Sequence, residues 1–143
     1  MNQHNRPQNR PQSETPPAEE VQRAIRDGGK ALVDLAERVG RQVKNEGLTT
    51  NQIRNIYGIV KQMEMRMKAP QQSDTGWNWY HELMMLKPKM AYAAARASGR
   101  GAETLAKVLS VAIDEVGSDR GKFPRFVDLF EAILAYHKAA GGK

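Results

Sequence analysis

Residues 48–70, LTTNQIRNIYGIVKQMEMRMKAP, carry the signals expected at both ends of an α-helix and along its length. Thr49 and Gln52 have the spacing of a capping box, and Leu48 and Ile53 can form the hydrophobic staple that accompanies it. Apolar residues then recur at the helical spacings of three and four: Ile53, Ile56, Val60, Met63 and Met67. The proline that ends the stretch cannot continue a helix. The stretch therefore predicts an amphipathic helix with one buried face.

The chain before this helix shows the same periodicity from about Glu19 to Asn45. The residues on its apolar face are Val21, Ile25, Gly28, Leu32, Leu35, Val39 and Val43. Gly28 and Gly29 are expected to kink or split this helix, because small residues in succession weaken the helical backbone.

The middle of the chain predicts a loop, QQSDTG, followed by two helical segments. WNWYHELMML (77–86) reads as a short helix that leads into LKPKMAYAAARA (86–97). Pro88 is expected at or near a helix start, where its missing N–H costs least. The helix dipole disfavours lysine at a helix start, so Lys87 and Lys89 indicate another purpose. Phosphate contact is one such purpose, because a helix N-terminus also offers free backbone N–H groups to anions.

The C-terminal part predicts two more helices. The first, residues 102–116, has the core face Leu105, Val108, Leu109, Ala112 and Val116. The second begins near Phe123-Pro124, ends before the final glycine pair, and buries Phe123, Phe126, Phe130, Ile133 and Leu134. No segment alternates convincingly as a β-strand would. The predicted fold is therefore all-α, a compact bundle of five or six helices.

Residues 1–17 differ from the rest in composition, because they repeat NRPQ and end in two prolines. Such a segment buries little apolar area, so we expect a disordered Pro/Gln-rich tail and a single helical-bundle domain over residues 18–143. The chain has no cysteine, its N-terminus lacks the apolar stretch of a signal peptide, and no apolar run approaches the ~18 residues of a membrane span. A cytoplasmic protein is expected.

The sequence contains no motif that indicates catalysis. H-E-x-x-H, G-x-S-x-G and a phosphate-binding glycine loop are all missing from it. Acids such as Asp114 and Glu115 are adjacent, so on a helix they diverge and cannot act as an acid–base pair. His137 follows Phe130 by seven residues on the apolar face, which predicts a hydrogen-bonded structural histidine. We expect no enzymatic activity, no cofactor and no metal.

The net charge of +6 is concentrated in the middle of the chain. Residues 49–100 carry eight Lys and Arg against three Asp and Glu, whereas the segments on either side are close to neutral. A localised positive charge is typical of proteins with a polyanionic partner, most often a nucleic acid. The alternative is a charged surface that serves solubility alone.

The cations of this region align on two helices. Arg54, Lys61 and Lys68 repeat every seven residues, opposite the apolar face of their helix. In the next basic segment Lys89 and Arg96 share a narrow sector with Arg100, and Tyr92 stands beside them. Small residues leave both helices slim, which permits close approach to a phosphate backbone. Alanines also permit close helix–helix packing, and both interpretations stay open.

The aromatic and methionine residues have two interpretations as well. Trp77, Trp79, Tyr80 and Tyr92 suit core or partner packing, although base stacking is an alternative. The methionines at 63, 65, 67, 84, 85 and 90 are most simply flexible core filler, and a subset can serve an interface between copies.

Three segments together resemble one protein family. LTTNQIRNIYGIVKQME, LKPKMAYAAAR and FVDLFEAILAYHK occur in this order and are similar to the small subunit of the type III-A CRISPR–Cas (Csm) interference complex. The resemblance covers roughly residues 48–140, and the closing FEAILAYHK is its most distinctive part.

The resemblance implies a non-catalytic helical bundle that stacks in several copies inside an RNA-guided effector, against the duplex of guide RNA and target RNA and beside the other effector subunits. The basic positions that it implies as contacts of the RNA backbone are Arg54, Lys61, Lys87, Lys89 and Arg96. Lys138 is a weaker candidate. Such a subunit needs only shape and phosphate contact, since base pairing reads the sequence.

A second hypothesis is a helical protein–protein adaptor whose basic face complements an acidic partner without touching RNA. A helix-turn-helix regulator is a third, but the loop after Pro70 is too long for that motif.

Overall fold

A computed structural model describes residues 14–69 and 76–143 of the chain. These residues form six α-helices and one 3₁₀ turn, at residues 120–122, and no β-strand occurs among them. The helices are α1 (Ala18–Asp27), α2 (Gly29–Asn45), α3 (Thr50–Lys68), α4 (Trp79–Arg96), α5 (Gly101–Val116) and α6 (Phe123–Ala139). The predicted all-α bundle is confirmed. None of the described helices is long and apolar enough to cross a membrane.

The apolar side of α6 lies at the centre of the bundle. It packs against α1, α2, α3 and α5, whereas α4 contacts mainly α3 and α5. Phe123, Phe126 and Phe130 are buried, and their rings contact one another at centroid distances of 6.0 and 6.3 Å. The predicted core faces of α5 and α6 are confirmed, with Leu134 only partly buried. Since α3 and α4 occupy the outside of the core, their remaining faces are free to carry a binding surface.

The predicted split of the first helix is confirmed at the glycine pair. Gly28 and Gly29 have φ angles of +63° and +53°, which residues with a side chain rarely adopt. Arg125 of α6 lies against Gly28 and donates from Nη1 to the carbonyls of Ile25 and Arg26, at 3.3 and 3.1 Å. These bonds satisfy carbonyls that the end of α1 leaves without an amide donor.

The predicted capping box of α3 is also confirmed. The backbone N–H of Gln52 donates to the Thr49 hydroxyl at 3.2 Å, and the Thr49 N–H donates to the Gln52 side chain at 2.9 Å. Leu48 and Ile53 are both buried, as the staple requires. The helix ends at Lys68, whereas the predicted stop at Pro70 and most of the predicted loop lie outside the described residues.

The prediction that Pro88 marks a helix start is wrong. Residues 79–96 form one continuous helix, and Pro88 lies in its interior. Asn78 caps the true start, because its side chain accepts from the His81 N–H at 3.0 Å. Pro88 cannot donate to the carbonyl of Met84, so this turn of α4 lacks one backbone hydrogen bond. Lys87 therefore sits in mid-helix, and no free N–H groups of a helix start surround it.

Residues 14–17 lead into α1 and bring the predicted tail into contact with the bundle at one point. Pro16 is buried, and Pro17 is the N-cap of α1. The rest of the predicted tail, residues 1–13, lies outside the described residues.

Candidate nucleic-acid interface

The outer helices α3 and α4 border a groove whose floor is formed by α5. Gln52, Asn55 and Ile56 line it from α3, and Met90 and Ala93 line it from α4. Leu48, Ala102, Leu105 and Ala106 complete the lining. The first turns of α3 therefore lie across from the last turns of α4. Lys89 and Arg96 lie on the turns of α4 that border this groove, whereas Arg54 leaves α3 on the side opposite to Gln52 and Ile56, each two residues away.

Arg54, Lys89 and Arg96 form the part of the predicted site that no acid neutralises. All three are exposed, and none has a carboxylate partner among the described residues. Most of the other basic side chains among the described residues do form ion pairs, such as those of Lys30, Arg38 and Lys107. A cation left without a counter-charge keeps its full attraction for a polyanion.

The side chain of Arg96 is held against Tyr92, one turn earlier on α4. Its Nη1 donates to the Tyr92 hydroxyl at 3.0 Å, and its guanidinium carbon lies 5.5 Å from the centre of the ring. Because a phenol is neutral, this contact orients the guanidinium without cancelling its charge.

Lys61 lies two turns beyond Arg54 on the same side of α3 but has an acidic neighbour. Its Nζ donates to Glu64 at 2.6 Å, and Lys68 lies 3.6 Å from the other oxygen of that carboxylate. The hydrogen bond from Lys61 lowers the pKa of the Glu64 carboxyl, and the same bond raises the pKa of Lys61. Lys61 can meet a phosphate only in competition with Glu64.

Lys87 lies on a different side of α4 from Arg96. The two residues are nine positions apart, about two and a half turns, so their side chains leave opposite sides of the helix. Lys87 faces α5, where its Nζ contacts Asp114 at 2.6 Å, and it lines an open groove together with Glu103 and Lys107. The structure therefore does not bring Lys87 together with the other predicted site residues on α4.

Lys138 and Glu131 of α6 are two further charged residues to consider beside the proposed site. Lys138, the weaker candidate, donates to the carbonyl of Gly142 at 3.4 Å near the C-terminus of α6. Burial raises the pKa of the Tyr57 hydroxyl, and the neighbouring Glu131 carboxylate adds to this shift. Glu131 thus places a negative charge beside the α3 cations on the α6 side.

The aromatic residues divide into packed and exposed groups. The Trp79 ring packs edge-on against Phe123, with centroids 6.3 Å apart, and Trp77 receives the guanidinium of Arg66 at 4.5 Å. Packing therefore accounts for both tryptophans. Tyr92 is different, since 64% of its surface is exposed. Its neighbours in sequence are alanines, and this contrast in size is the signal that points to it.

The methionines divide similarly. Met63 and Met90 are buried, and Met67 and Met84 pack against the core as filler. Met65 and Met85 are exposed, on the outer sides of α3 and α4.

The described residues do not hold a group of three potential metal ligands. His137, the one buried histidine among them, has Nε2 2.6 Å from the carbonyl oxygen of Leu48. The predicted structural role of His137 is confirmed.

These features define a class, a small all-helical protein with a basic surface on two outer helices. The sequence model of the family Csm2 Type III-A matches residues 26–143. The chain therefore belongs to this family and is a small subunit of the type III-A Csm complex, which confirms the resemblance stated above. The match extends further towards the N-terminus than the three recognised segments. No curated protein and no solved structure matches the chain significantly.

Proposed function

We propose that this subunit is a non-catalytic, cytoplasmic component that lies in several copies along the guide RNA–target RNA duplex and binds its backbone through a basic face. The observation that supports this proposal is a set of three exposed cations on α3 and α4, Arg54, Lys89 and Arg96, for which the described residues provide no carboxylate partner. Because the chain belongs to a family of CRISPR subunits, the polyanion that these cations bind is proposed to be the RNA of the complex.

Lys61 extends the proposed face along α3, and its pair with Glu64 is weak enough to exchange. A surface ion pair contributes only about 0–1 kcal/mol, so a phosphate can replace the carboxylate. Lys87 stays in the proposal as a separate contact on the α5 side, which needs release from Asp114.

A face with about three to five phosphate contacts binds weakly and loses affinity steeply as salt rises. Copies held side by side share one duplex, so each additional contact forms at high effective concentration. The modest charge of the isolated chain therefore suits a protein that binds RNA as part of an assembly.

The test uses charge reversal in the reconstituted complex. Lys89→Glu combined with Arg96→Glu should lower RNA retention at low and moderate salt, the difference from wild type should shrink as salt rises, and helical content by circular dichroism should be unchanged. A matched control, Arg23→Glu with Lys30→Glu, makes the same change in net charge on α1 and α2, which lie away from the groove. RNA retention that is identical for the three proteins across a salt titration would show that the proposed face is wrong.

The adaptor hypothesis makes the opposite prediction for RNase treatment. If the basic face meets an acidic protein, the subunit stays in the complex after exhaustive digestion of the RNA. If it binds RNA backbone, digestion releases it or weakens its retention.

A further inference from the structure

Tyr92 is an exposed aromatic ring on an otherwise slim part of α4. Ala91, Ala93 and Ala95 surround it in sequence and are themselves exposed, so these neighbours do not shield the ring. A single exposed apolar side chain is ordinary on a protein surface. Tyr92, however, lies within the proposed basic face, where an exposed aromatic ring can contact RNA as well as solvent.

Two cations without carboxylate partners among the described residues flank the ring on the same side of α4. Lys89 precedes Tyr92 by three residues and Arg96 follows it by four, which are the spacings of neighbours on a helix surface. Arg96 also fixes the ring, through the 3.0 Å bond to its hydroxyl, and lies over one of its sides. The result is an oriented aromatic surface between two positive charges.

We propose that Tyr92 stacks on an unpaired base of an RNA strand while Lys89 and Arg96 bind phosphates on either side of that nucleotide. This inference rests on the proposed function and deepens it, because it names the part of the RNA that the face contacts. Along the helix axis Lys89 and Arg96 are about 10.5 Å apart.

An unpaired nucleotide is the natural ligand for such an arrangement. Bases inside a duplex are stacked on both sides, so an aromatic ring reaches only bases in single-stranded segments, bulges or splayed-out positions. Stacking tolerates any base, because every base has a π-face, and this suits a subunit that does not read sequence. Tyrosine and arginine are also enriched at protein interfaces, whereas lysine is depleted there. The choice of RNA over a protein therefore rests on the two cations beside the ring, which have no carboxylate partner among the described residues.

The experiment uses the full-length chain and two RNAs that carry 2-aminopurine at the same position. One RNA is single-stranded, and the other is fully paired with its complement. The wild-type protein should quench the fluorescence of the single strand on binding. Tyr92→Leu should abolish this quenching, lower the affinity for the single strand about 5- to 100-fold, and leave the affinity for the duplex unchanged. Tyr92→Phe should retain both the quenching and the affinity for the single strand.

Tyr80→Leu is the matched control, since Tyr80 is a second exposed tyrosine of α4 but lies more than two turns before Lys89. It should leave the quenching unchanged. If Tyr92→Leu quenches as the wild type does, the stacking proposal is overturned. In that case a loss of duplex binding in the Lys89→Glu, Arg96→Glu protein still supports the proposed function. If neither protein differs from wild type, both proposals are wrong. If Tyr92→Leu instead releases the subunit from an RNase-treated complex, Tyr92 contacts protein and the proposal also falls.

Discussion

The imidazole Nε2 of His137 lies 2.6 Å from the carbonyl oxygen of Leu48 and ties the end of α6 to the loop between α2 and α3. A carbonyl can only accept, so Nε2 carries the proton and donates it. Both residues are buried, and the contact joins positions that are 89 residues apart in sequence. It therefore stabilises the start of α3, the helix that carries Arg54.

We expect His137→Leu to destabilise the fold by about 1–3 kcal/mol, because the Leu48 carbonyl loses its buried donor. Chemical denaturation of the two proteins measures this difference. A matched control is Tyr136→Leu, since Tyr136 is adjacent in sequence but only partly buried and outside this bond. Equal unfolding free energies for wild type and His137→Leu would show that the bond contributes nothing.

Substitution by alanine should change the stability of the fold in opposite directions at Gly40 and at Gly58. A Cβ on Gly40 would lie 2.8 Å from the backbone N of His137 and the backbone O of Ile133, because α2 and α6 approach closely there. Gly40→Ala should therefore cost about 1–3 kcal/mol. A Cβ on Gly58 meets nothing within 4 Å, so Gly58→Ala should stabilise α3 by about 0.5–1 kcal/mol. Thermal and urea unfolding measure the change in unfolding free energy of each variant. A change of the same sign in both variants would contradict the packing described.

The Lys61–Glu64 pair should make stability depend on pH in a defined range. Its hydrogen bond lowers the pKa of Glu64 from the ordinary value of 4.5, so the folded state binds a proton less readily than the unfolded state. The stabilisation is then present above pH 4.5 and is lost as pH falls through the lower, folded value. The pKa of Lys61 is raised from 10.5, so its part persists below that pH and is lost as pH rises through the folded value.

We expect wild type to be more stable than Glu64→Gln near neutral pH and the two proteins to converge in acid. Urea denaturation at a series of pH values between neutral and strongly acidic conditions measures the difference. A difference that stays constant throughout this range would argue against a pH-linked ion pair.

The acids beside Lys61 and Lys87 offer a test of which lysine contacts RNA. Glu64→Gln and Asp114→Asn each remove one negative charge, but the first frees Lys61 beside Arg54 and the second frees Lys87 on the α5 side. Glu64→Gln should tighten duplex RNA binding and steepen its log–log dependence on salt by about 0.7–0.9 per added phosphate contact. Asp114→Asn should also tighten binding, because Lys87 is proposed as a separate RNA contact that forms once Asp114 releases it.

Filter binding of duplex RNA over a range of salt concentrations provides the measurement. No tightening by Asp114→Asn would argue against the Lys87 contact. Tightening by both variants fits either a contact by Lys87 or an effect of net charge alone. Lys87→Gln in the Asp114→Asn background separates these two explanations, since only a direct contact is lost with the lysine.

The helices themselves were predictable because their signals are local. The Thr49–Gln52 capping box and the glycine pair at 28–29 act through neighbouring residues, so the sequence alone is sufficient to locate a helix start and a break. The core face of α5 followed from its periodicity for the same reason. The helix predicted over residues 77–86 begins close to the true start of α4, but the second start expected at Pro88 was wrong, because the helix capped by Asn78 continues through the proline. Packing of Leu83, Leu86 and Met90 on both sides of the proline supports a continuous helix.

Whether a candidate cation is paired with an acid, and which helix it lies near, depended on residues far away in sequence. Lys87 and Asp114 are 27 positions apart, and no periodicity relates them. Arg54 and Arg96 are distant in sequence, and only the packing of α3 and α4 makes their two helices border the same groove. Likewise, the exposure of Tyr92 depends on which side of α4 the core occupies.

The amino-acid sequence by itself determined that this chain is helical, where most of its helices begin and end, and that its positive charge lies between residues 49 and 100. These properties arise from neighbours along the chain, within a few turns of helix. Tertiary structure decided which cations stay unneutralised, because ion pairing between helices depends on how the helices pack. Packing also left Tyr92 in solvent between Lys89 and Arg96, since α3 and α5 bury the opposite side of α4.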